Sequence, residues 1–144
     1  MSAIKKITIG MLGCGTVGAE VARLLLSDIP ELSTRSSAPL ELKKIAVRSG
    51  GSRLGIDASL FTTDPLSIVN DPAIDIVIEV MGGIEPAREL ILQAISNGKS
   101  VVTANKSLLA THGADLYAAA DKAGVDLYYE AAVAGAIPII RPMR

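Results

Sequence analysis

The sequence lacks an excess of charge of either sign. Its 144 residues include 14 lysines and arginines and 15 aspartates and glutamates, which gives a formal net charge of −1. A chain with this balance has no basic field that would attract a nucleic acid or an anionic membrane surface. We therefore expect neither a nucleic acid nor a membrane as a partner.

Cysteine and long apolar runs are also nearly absent. Cys14 is the only cysteine, so no intrachain disulfide can form, and a reducing compartment is indicated. The apolar segment after Lys5 and Lys6 is only about six residues long and is broken by Gly10 and Gly13, which is too short for a signal peptide or a membrane span. We expect a soluble, cytoplasmic protein.

What the sequence does contain is an alternation of apolar runs of strand length with segments of helical period. This pattern is typical of βαβ units in the α/β class, with a doubly wound parallel sheet. Such a sheet has the strand order 3-2-1-4-5-6. We assign strands one, two, four, five and six to Ile7–Leu12, Leu40–Val47, Ile74–Met81, Ser100–Ala104 and Asp126–Ala131. The fourth, rich in branched apolar residues, is expected to be central.

Four helical segments are predicted between the strands, the first of them over Thr16–Asp28. A short helix should follow Asp64 as its N-cap, another should run from Pro86 to Gly98, and the last, over 105–123, should be interrupted near His112 and closed by Gly124. The positions expected to face the sheet are Val17, Val21, Leu24 and Leu25 in the first helix and Leu90, Ile91, Ala94 and Ile95 in the third.

The length indicates one domain over residues 1–144. Nearly half of the residues, 49%, are hydrophobic, which is enough to form a core at this size. The last stretch, AVAGAIPIIRPMR, is apolar but contains no complete structural element. We expect the chain to be the N-terminal fragment of a longer protein, truncated before a further domain.

Gly13, Gly15 and Gly18 form a G-x-G-x-x-G motif directly between the first strand and the first helix. In this setting the first glycine permits a tight turn, the second lets the backbone approach a pyrophosphate, and the third lets the helix pack on the strand. The start of the helix, with Thr16 and Val17, offers N–H groups to phosphates. Two alternatives stay open, which are a tight turn without a ligand and a methyltransferase-like nucleotide site.

If the glycine motif binds a dinucleotide, the residue after the second strand contacts its adenosine ribose and distinguishes NAD from NADP. An acidic residue there would bind the ribose 2′-hydroxyl of NAD, whereas an arginine suits the 2′-phosphate of NADP. The chain has Arg48 at this position, followed by serines, glycines and Arg53, all of which can donate to a phosphate. NADP is favoured and NAD remains open. In the alternative interpretation both arginines are solvated loop charges.

Lys106 lies at the start of a predicted helix, where the positive pole of the peptide dipoles disfavours a cation. The predicted sheet brings the ends of strands one, four and five to one edge, where ligands bind. Strand five would lie about 10 Å from strand one, roughly the reach from a pyrophosphate to a nicotinamide. We therefore predict that Lys106 contacts nicotinamide or substrate, that Asn105 caps its helix, and that Met81 and Gly82 let the dinucleotide pass close to backbone. The alternative is a lysine that extends into water.

Five motifs together resemble homoserine dehydrogenases, specifically their N-terminal nucleotide-binding domain. They are GCGTVG, AVRSG, EVMGG, GKSVVTANKSLLA and YYEAAVAGAIPII, and the likeness covers essentially all 144 residues. The resemblance implies an NAD(P)-dependent oxidoreductase that interconverts L-homoserine and L-aspartate 4-semialdehyde. It also implies a place on the route from aspartate to threonine, methionine and isoleucine.

The resemblance further implies roles for individual residues. Gly13, Gly15, Thr16, Val17 and Gly18 would hold the pyrophosphate, Arg48 the adenosine ribose or its phosphate, and Lys106 would polarise the substrate carbonyl or relay a proton. A monovalent cation, sodium, would be bound by Glu130, Val133, Gly135 and Ile137, largely through main-chain oxygens, which suit a hard cation. From the residues alone, these four would be assigned to a buried strand end. Ala136 departs from the family pattern, where a second glycine often occurs.

The resemblance also implies that part of the enzyme lies beyond Arg144, including a substrate domain with a second lysine and the elements of a homodimer or higher homo-oligomer. We therefore expect the isolated fragment to be inactive and to bind its cofactor weakly or not at all. Two other functions stay open. One is another two-domain dehydrogenase of a small aldehyde or amino acid, and the other is an NAD(P)-binding regulatory or sensor domain without catalysis.

Overall fold

The described part of the chain is built on one parallel sheet. A computed structural model describes residues 5–27, 38–50, 53 and 55–132. The strands are β1 (Ile7–Leu12), β2 (Leu40–Ala46), β3 (Phe61–Thr62), β4 (Ile76–Glu79), β5 (Ser100–Thr103) and β6 (Leu127–Tyr128). They pair in parallel in the order β3-β2-β1-β4-β5-β6. The predicted fold class, strand order and central position of the fourth strand are confirmed.

In the described part of the chain, helices connect most of the strands. They are α1 (Thr16–Leu26), α2 (Leu66–Val69), α3 (Ala87–Ser96) and α4 (Lys106–Ala123), with short 3-10 turns at Ala58–Leu60 and Glu130–Ala132. Among the described residues, no helix combines the length and the apolar character that a bilayer crossing requires. The hydrogen bond expected of Asp64 is present, because its Oδ1 accepts from the Leu66 N–H at 3.0 Å, although the N-cap residue of α2 is Pro65, one position later than predicted.

The sheet is covered on both faces by hydrophobic clusters. One cluster contains Val77 of β4 together with buried residues of α3 and α4, including the predicted Leu90, Ile91, Ala94 and Ile95. The other cluster contains residues of β1, α1 and β2, and Ile76 and Ile78 of β4 pack against it. Successive residues of β4 therefore enter opposite cores, as expected for a central parallel strand.

The predicted apolar face of α1 is wrong in part. The buried residues of the helix are Gly18, Ala19 and Ala22, whereas Val17 and Leu24 are 59% and 49% exposed. Val21 and Leu25 are half-buried against the second cluster. Small residues allow the helix backbone to approach the sheet closely, so the larger side chains turn towards the rim of the contact and into solvent.

The interruption predicted in the last helix is also wrong. α4 runs without a break from Lys106 to Ala123, and Gly124 closes it in the left-handed conformation at φ 67°. His112 lies inside the helix, with Nδ1 4.0 Å from Asp115 Oδ2, so it does not mark a break. A glycine inside a helix costs only about 1 kcal/mol relative to alanine. Burial of Leu108, Leu116 and Ala120 offsets that cost at Gly113.

Several strand bounds differ from the prediction. β4 is four residues long, because Ile74, Asp75, Val80 and Met81 of the predicted segment lie outside the strand, and β6 has two residues before the 3-10 turn that begins at Glu130. β3, also of two residues, was not predicted. A pair this short carries too little periodicity to be recognised from the sequence.

The edge of the sheet that holds the amino ends of the strands is tied together by charged groups. The Lys99 side chain is buried, and its ammonium donates to the main-chain oxygens of Asp71 and Ile74 at 2.5 and 2.8 Å. Burial lowers the pKa of Lys99 below its ordinary value. Asp75 Oδ2 accepts from the Thr8 N–H at 2.9 Å. These contacts join the loop before β4 to β1 and β5.

The carboxylates at this edge should make the fold sensitive to acid. The Lys43 ammonium donates to Asp71 at 2.6 Å and holds the pKa of that carboxyl below its ordinary value of 3.8, and the Thr8 N–H does the same for Asp75. A carboxyl with a depressed folded pKa contributes stability above its ordinary pKa, and this contribution is lost as the pH falls through the folded pKa. Thermal unfolding midpoints should therefore decline mainly below about pH 4. The Asp71→Asn, Asp75→Asn double variant should lose part of that decline, and an unchanged slope would contradict the linkage.

Candidate functional site

The turn between β1 and α1 lies against the end of β4. Gly13 has φ 103°, a conformation that disfavours other residues, and its N–H donates to the Ala46 main-chain oxygen at 2.9 Å. A Cβ atom at this position would lie 2.9 Å from the Met81 Cα and from the Val80 carbonyl carbon. Gly13 is therefore required both by its backbone conformation and by the close approach of the two chain segments.

The other two glycines of the motif have different surroundings. A Cβ atom on Gly18 would lie 2.8 Å from the Gly13 main-chain oxygen and 3.0 Å from Val80 Cγ2, whereas a Cβ atom on Gly15 would meet nothing within 4 Å. Gly18 thus permits the helix to pack on the turn. Gly15 leaves an open face over the backbone, which is the condition for a ligand to approach the main chain closely.

The start of α1 has no side-chain cap. Gly15 is the N-cap residue, no side chain accepts a hydrogen bond from the first turn, and that turn contains no acidic residue. Thr16 and Val17 are exposed. The N–H groups of a first helical turn need acceptors from outside the helix, and together with the helix dipole they favour an anion. This end of α1 is suited to a phosphate.

Beside the turn is a cleft of about 400 Å³, lined in part by Gly13, Gly15, Arg48, Ser49 and Arg53. The volume lies within the range of small-molecule sites, about 300–1,000 Å³. Arg48 and Arg53 are exposed, and Arg53 Nε donates to the Cys14 main-chain oxygen at 3.1 Å. The structure brings both arginines to the rim of the glycine turn, where they add positive charge.

Cys14 does not contribute a reactive thiol to this cleft. Its side chain is buried, and burial raises the pKa of the thiol above its ordinary value of 9.0, although Arg53 and Arg23 oppose the shift. A thiol with a raised pKa stays protonated at neutral pH and is a poor nucleophile. Cys14 contributes its main-chain oxygen to the site, where that oxygen accepts a hydrogen bond from Arg53 Nε.

At the end of β4, the predicted cofactor contacts Met81 and Gly82 use their N–H groups within the protein. Both donate to Glu79 Oε1, at 2.9 and 3.2 Å. Glu79 is fully buried and was not among the predicted site residues. A glutamate inside an otherwise apolar strand was a signal that could have identified it, because an ionised side chain is rarely buried without partners.

The end of β5 continues this set of contacts. Thr103 Oγ1 donates to Glu79 Oε2 at 2.6 Å and accepts from the Asn105 N–H at 3.1 Å. The Asn105 amide donates to the Gly83 main-chain oxygen at 2.6 Å, and its side-chain oxygen accepts from the Leu108 N–H at 3.1 Å. The predicted role of Asn105 as the N-cap of the lysine helix is confirmed.

Lys106 is the first residue of α4, and it is exposed. Within the described part of the chain, no hydrogen bond or ion pair involves its ammonium. The structure places it at the carboxyl edge of the sheet, beside the β4 exit loop that Asn105 holds, but outside the lining of the cleft at the glycine turn. Its predicted contact with nicotinamide or substrate stays a prediction.

Of the four residues predicted to bind sodium, Glu130 alone lies within the described residues. It is exposed in the 3-10 turn that follows β6. Val133, Gly135 and Ile137 fall outside the described residues. No group of three or more histidine, cysteine, aspartate or glutamate side chains suited to a metal occurs in the described ranges. Since the predicted site would use main-chain oxygens, that finding leaves it untested.

The start of α1 has no side-chain cap, and a cleft lined by Arg48 and Arg53 lies beside it. Both lie at the carboxyl ends of β1 and β4, between which the strand order reverses. These features define the class of the protein. The chain is a Rossmann-type domain of the kind that binds dinucleotides. The family follows from comparison with known proteins. A family model described as the NAD-binding domain of homoserine dehydrogenase matches residues 13–130, and the chain belongs to the homoserine dehydrogenase family.

Individual relatives agree with this assignment. The homoserine dehydrogenase of Mycobacterium tuberculosis is 50% identical over 139 residues, which cover 96% of this chain and 32% of the relative. The crystal structure of a homoserine dehydrogenase from Thiobacillus denitrificans superposes with a TM-score of 0.85 at 46% identity, over 96% of this chain and 32% of that one. A hyperthermophilic archaeal homoserine dehydrogenase in complex with NADPH superposes with a TM-score of 0.76 at 28% identity, over 97% and 48%.

The matched segment corresponds to the cofactor domain of these proteins. The chain spans about a third of the length of the curated relatives that it matches, 32% for the Mycobacterium tuberculosis protein.

Two alanine substitutions separate the structural role of the glycine turn from its expected role in binding a ligand. Gly13→Ala should lower the free energy of unfolding by about 1–3 kcal/mol, because the residue is held at positive φ against the Met81 backbone. Gly15→Ala has open space for its methyl group and should cost less than about 1 kcal/mol, the preference for glycine over alanine at an N-cap. It should nevertheless weaken NADPH binding at least tenfold, about 1.4 kcal/mol.

Thermal unfolding and an NADPH titration followed by nuclear magnetic resonance would measure the two effects on each variant. Gly15→Ala binding NADPH as well as the parent would contradict a pyrophosphate contact at the open face. Equal stability losses in the two variants would contradict the distinct packing of the two glycines.

Proposed function

We propose that this chain supplies the cofactor site of a homoserine dehydrogenase, which interconverts L-homoserine and L-aspartate 4-semialdehyde with NAD(P). The observation that carries the proposal is the coincidence of two features at one edge of the sheet. The open backbone at Gly15 and the uncapped start of α1 form an anion site, and the exposed ammonium of Lys106 lies at the same edge on the turn after β5, two strands away from β1. Membership of the family supports the choice of substrate.

In this proposal the dinucleotide lies across the carboxyl ends of the strands. The first turn of α1, from Thr16 to Gly18, donates main-chain N–H groups to the pyrophosphate. The adenosine end occupies the cleft of about 400 Å³, where Val47, Thr63 and Pro65 also line the wall. Met81 and Gly82 contact the cofactor through atoms other than their N–H groups, since Glu79 already accepts from both.

NADP is the favoured cofactor. Arg48 and Arg53 both line the cleft. Arg48 directly follows Val47, whose N–H donates to the Thr62 main-chain oxygen and extends the pairing of β2 with β3. A guanidinium pairs with a phosphate through charge-assisted hydrogen bonds, and none of the described residues that line the cleft is acidic and could take the ribose hydroxyl. The archaeal relative in complex with NADPH supports this assignment.

When bound, the nicotinamide supplies the hydride that reduces the aldehyde carbon of the substrate. The contribution of this chain is placement and charge. Lys106, aimed by the Asn105 cap, donates a hydrogen bond to the substrate oxygen and stabilises the negative charge that develops on it. Its position at the positive end of α4 strengthens this effect, because the helix dipole and the ammonium act on the oxygen with the same sign.

The remaining parts of the proposal come from the family resemblance. They are a sodium ion bound by Glu130, Val133, Gly135 and Ile137, a cytoplasmic homodimer or higher homo-oligomer, and a role in the synthesis of threonine, methionine and isoleucine. Glu130 is the one predicted cation ligand in the described residues, and its carboxylate is exposed at the same edge as Lys106. Residues 1–144 alone are expected to be inactive, and homoserine turnover by this chain would contradict the proposal of a separate substrate domain.

The role of Arg48 can be tested by comparing the two cofactors. Arg48→Ala should weaken NADPH binding about tenfold to a hundredfold, the worth of one charge-assisted contact, and should change NADH binding by less than about threefold. Titrations of the parent and the variant with both cofactors measure this difference. Arg23→Ala, which removes an arginine outside the cleft lining, is the control and should leave the ratio unchanged. Equal losses for NADH and NADPH would remove the 2′-phosphate role.

The role of Lys106 can be tested in the complete polypeptide that contains this chain. Lys106→Ala should lower kcat by at least about a hundredfold, as the loss of one oxyanion donor does, and should leave NADPH affinity within about threefold. It should also raise the stability of the domain by a few tenths of a kcal/mol, because a cation leaves the positive end of a helix.

Lys122→Ala provides the matched control for that variant. Lys122 is an exposed lysine in the last turn of the same helix, where a cation is favourable. This variant should lose a few tenths of a kcal/mol of stability and keep the parent kcat. Unchanged turnover in Lys106→Ala would contradict the proposed contact with the substrate.

A further inference from the structure

We propose that Glu79 is a positioning residue that fixes the Lys106 turn and the Gly82–Gly83 loop relative to each other. This inference deepens the proposed function and rests on it, since the geometry that Glu79 would set is that of the nicotinamide end of the site. Glu79 does not contact the cleft itself. It acts through Thr103 and Asn105.

The Glu79 carboxylate is fully buried. The Glu79 side chain has 0% exposure, and it accepts three hydrogen bonds, from the Met81 N–H, the Gly82 N–H and the Thr103 hydroxyl. None of the ion pairs in the described residues involves it. The groups that compensate the loss of water around this carboxylate are therefore the loop amides after β4 and one hydroxyl on β5.

The register of β4 and β5 explains the contact between Glu79 and Thr103. Glu79 is the last residue of β4 and pairs with Thr103, the last residue of β5. Paired residues of parallel neighbours point to the same face of the sheet, which brings the two side chains together where the strands end. The hydrogen bond of 2.6 Å between them ties the starts of the two loops that leave the sheet at the predicted site.

Hydrogen bonds connect Thr103 to the start of α4, where Lys106 lies. The Thr103 oxygen accepts from the Asn105 N–H, and the Asn105 side chain donates to the Gly83 main-chain oxygen and caps the Leu108 N–H. Each hydrogen bond in this series holds in place the residue that makes the next one. The network therefore runs from the carboxylate to the residue directly before Lys106 and returns to the loop that carries Gly82 and Gly83.

The chemistry of this position argues against a role in folding alone. A buried carboxylate is costly to desolvate, and a well-packed apolar residue of similar size would often serve stability as well or better. What an apolar residue cannot do is accept from two loop amides and a hydroxyl at once. The carboxylate is thus needed for the conformation of the loops, which are the parts of the fold that meet the ligand.

Glutamine at this position would disturb the network with little change in shape. Its side chain has one acceptor oxygen and one N–H₂ group. With the oxygen towards the Met81 and Gly82 amides, the N–H₂ group faces the Thr103 hydroxyl, which must then turn and can no longer donate to residue 79. With the amide reversed, two loop N–H groups face a donor. Glu79→Gln is therefore the informative variant.

The test in the complete polypeptide compares kcat with KM. Glu79→Gln should lower kcat about tenfold to a hundredfold, as expected for a displacement of about 1 Å of a reacting group, while KM for NADPH changes less than about threefold because the adenosine end is untouched. Thr103→Val should reproduce the kcat loss, and Thr103→Ser, which keeps the hydroxyl, should retain kcat within about threefold.

A matched control separates positioning from general loss of stability. Lys99 is also a buried charged residue, and it lies at the opposite edge of the sheet. Lys99→Met should lower the unfolding midpoint at least as much as Glu79→Gln and leave kcat unchanged. If Lys99→Met lowers kcat as much as Glu79→Gln does, or if Glu79→Gln keeps the parent kcat, the positioning role is contradicted.

A second readout uses residues 1–144 without any cofactor and does not depend on activity. Hydrogen exchange of the Leu108 amide, which does not touch Glu79, should accelerate at least tenfold in Glu79→Gln and in Thr103→Val, together with exchange at Gly82 in the first variant. Unchanged Leu108 exchange in both variants would overturn the network. Failure of the parent polypeptide to oxidise homoserine would instead count against the proposed function and leave the exchange result to decide the inference.

Discussion

The structure depends on the contact between the turn after β1 and the backbone at the end of β4. The strand order reverses at these two neighbours, and Gly13 lies so close to Met81 that a Cβ atom could not fit. The Val80 N–H extends the ladder by donating to the Leu12 main-chain oxygen at 2.9 Å. Because the connections from β1 and β4 diverge from this point, a crevice opens between them, and the cleft and the start of α1 are both placed by it.

The two edges of the sheet are built from different chemistry. At the amino edge, the buried Lys99 and the carboxylate of Asp75 bind main-chain groups and close the loops against the strands. At the carboxyl edge, the glycine turn stays open and the start of α1 has no cap, whereas Asn105 caps α4. The amino edge is therefore closed by side chains, whereas the uncapped N–H groups of α1 and the exposed ammonium of Lys106 lie at the edge where a dinucleotide would bind.

Much of this arrangement could be predicted from the sequence, because it depends on local patterns. The alternation of strands and helices gave the parallel sheet, and the spacing of Gly13, Gly15 and Gly18 predicted their separate roles in the turn. The face of α1 could not be predicted by hydrophobicity, since small residues such as Ala19 and Ala22 make the contact. Glu79 could have been noticed as a glutamate in an otherwise apolar strand, but its contact with Thr103 could not be predicted, because the two are 24 residues apart and only the strand register brings them together.

The most direct test of the account is a titration of the isotopically labelled 144-residue chain with NADPH, followed by the chemical shifts of its amides. This method detects weak binding, which is what we expect of the isolated domain. The account predicts that the shifts concentrate at Gly15, Val17, Arg48 and Lys106, along the carboxyl edge of the sheet. Shifts centred on Asp71 and Lys99, at the opposite edge, would contradict it.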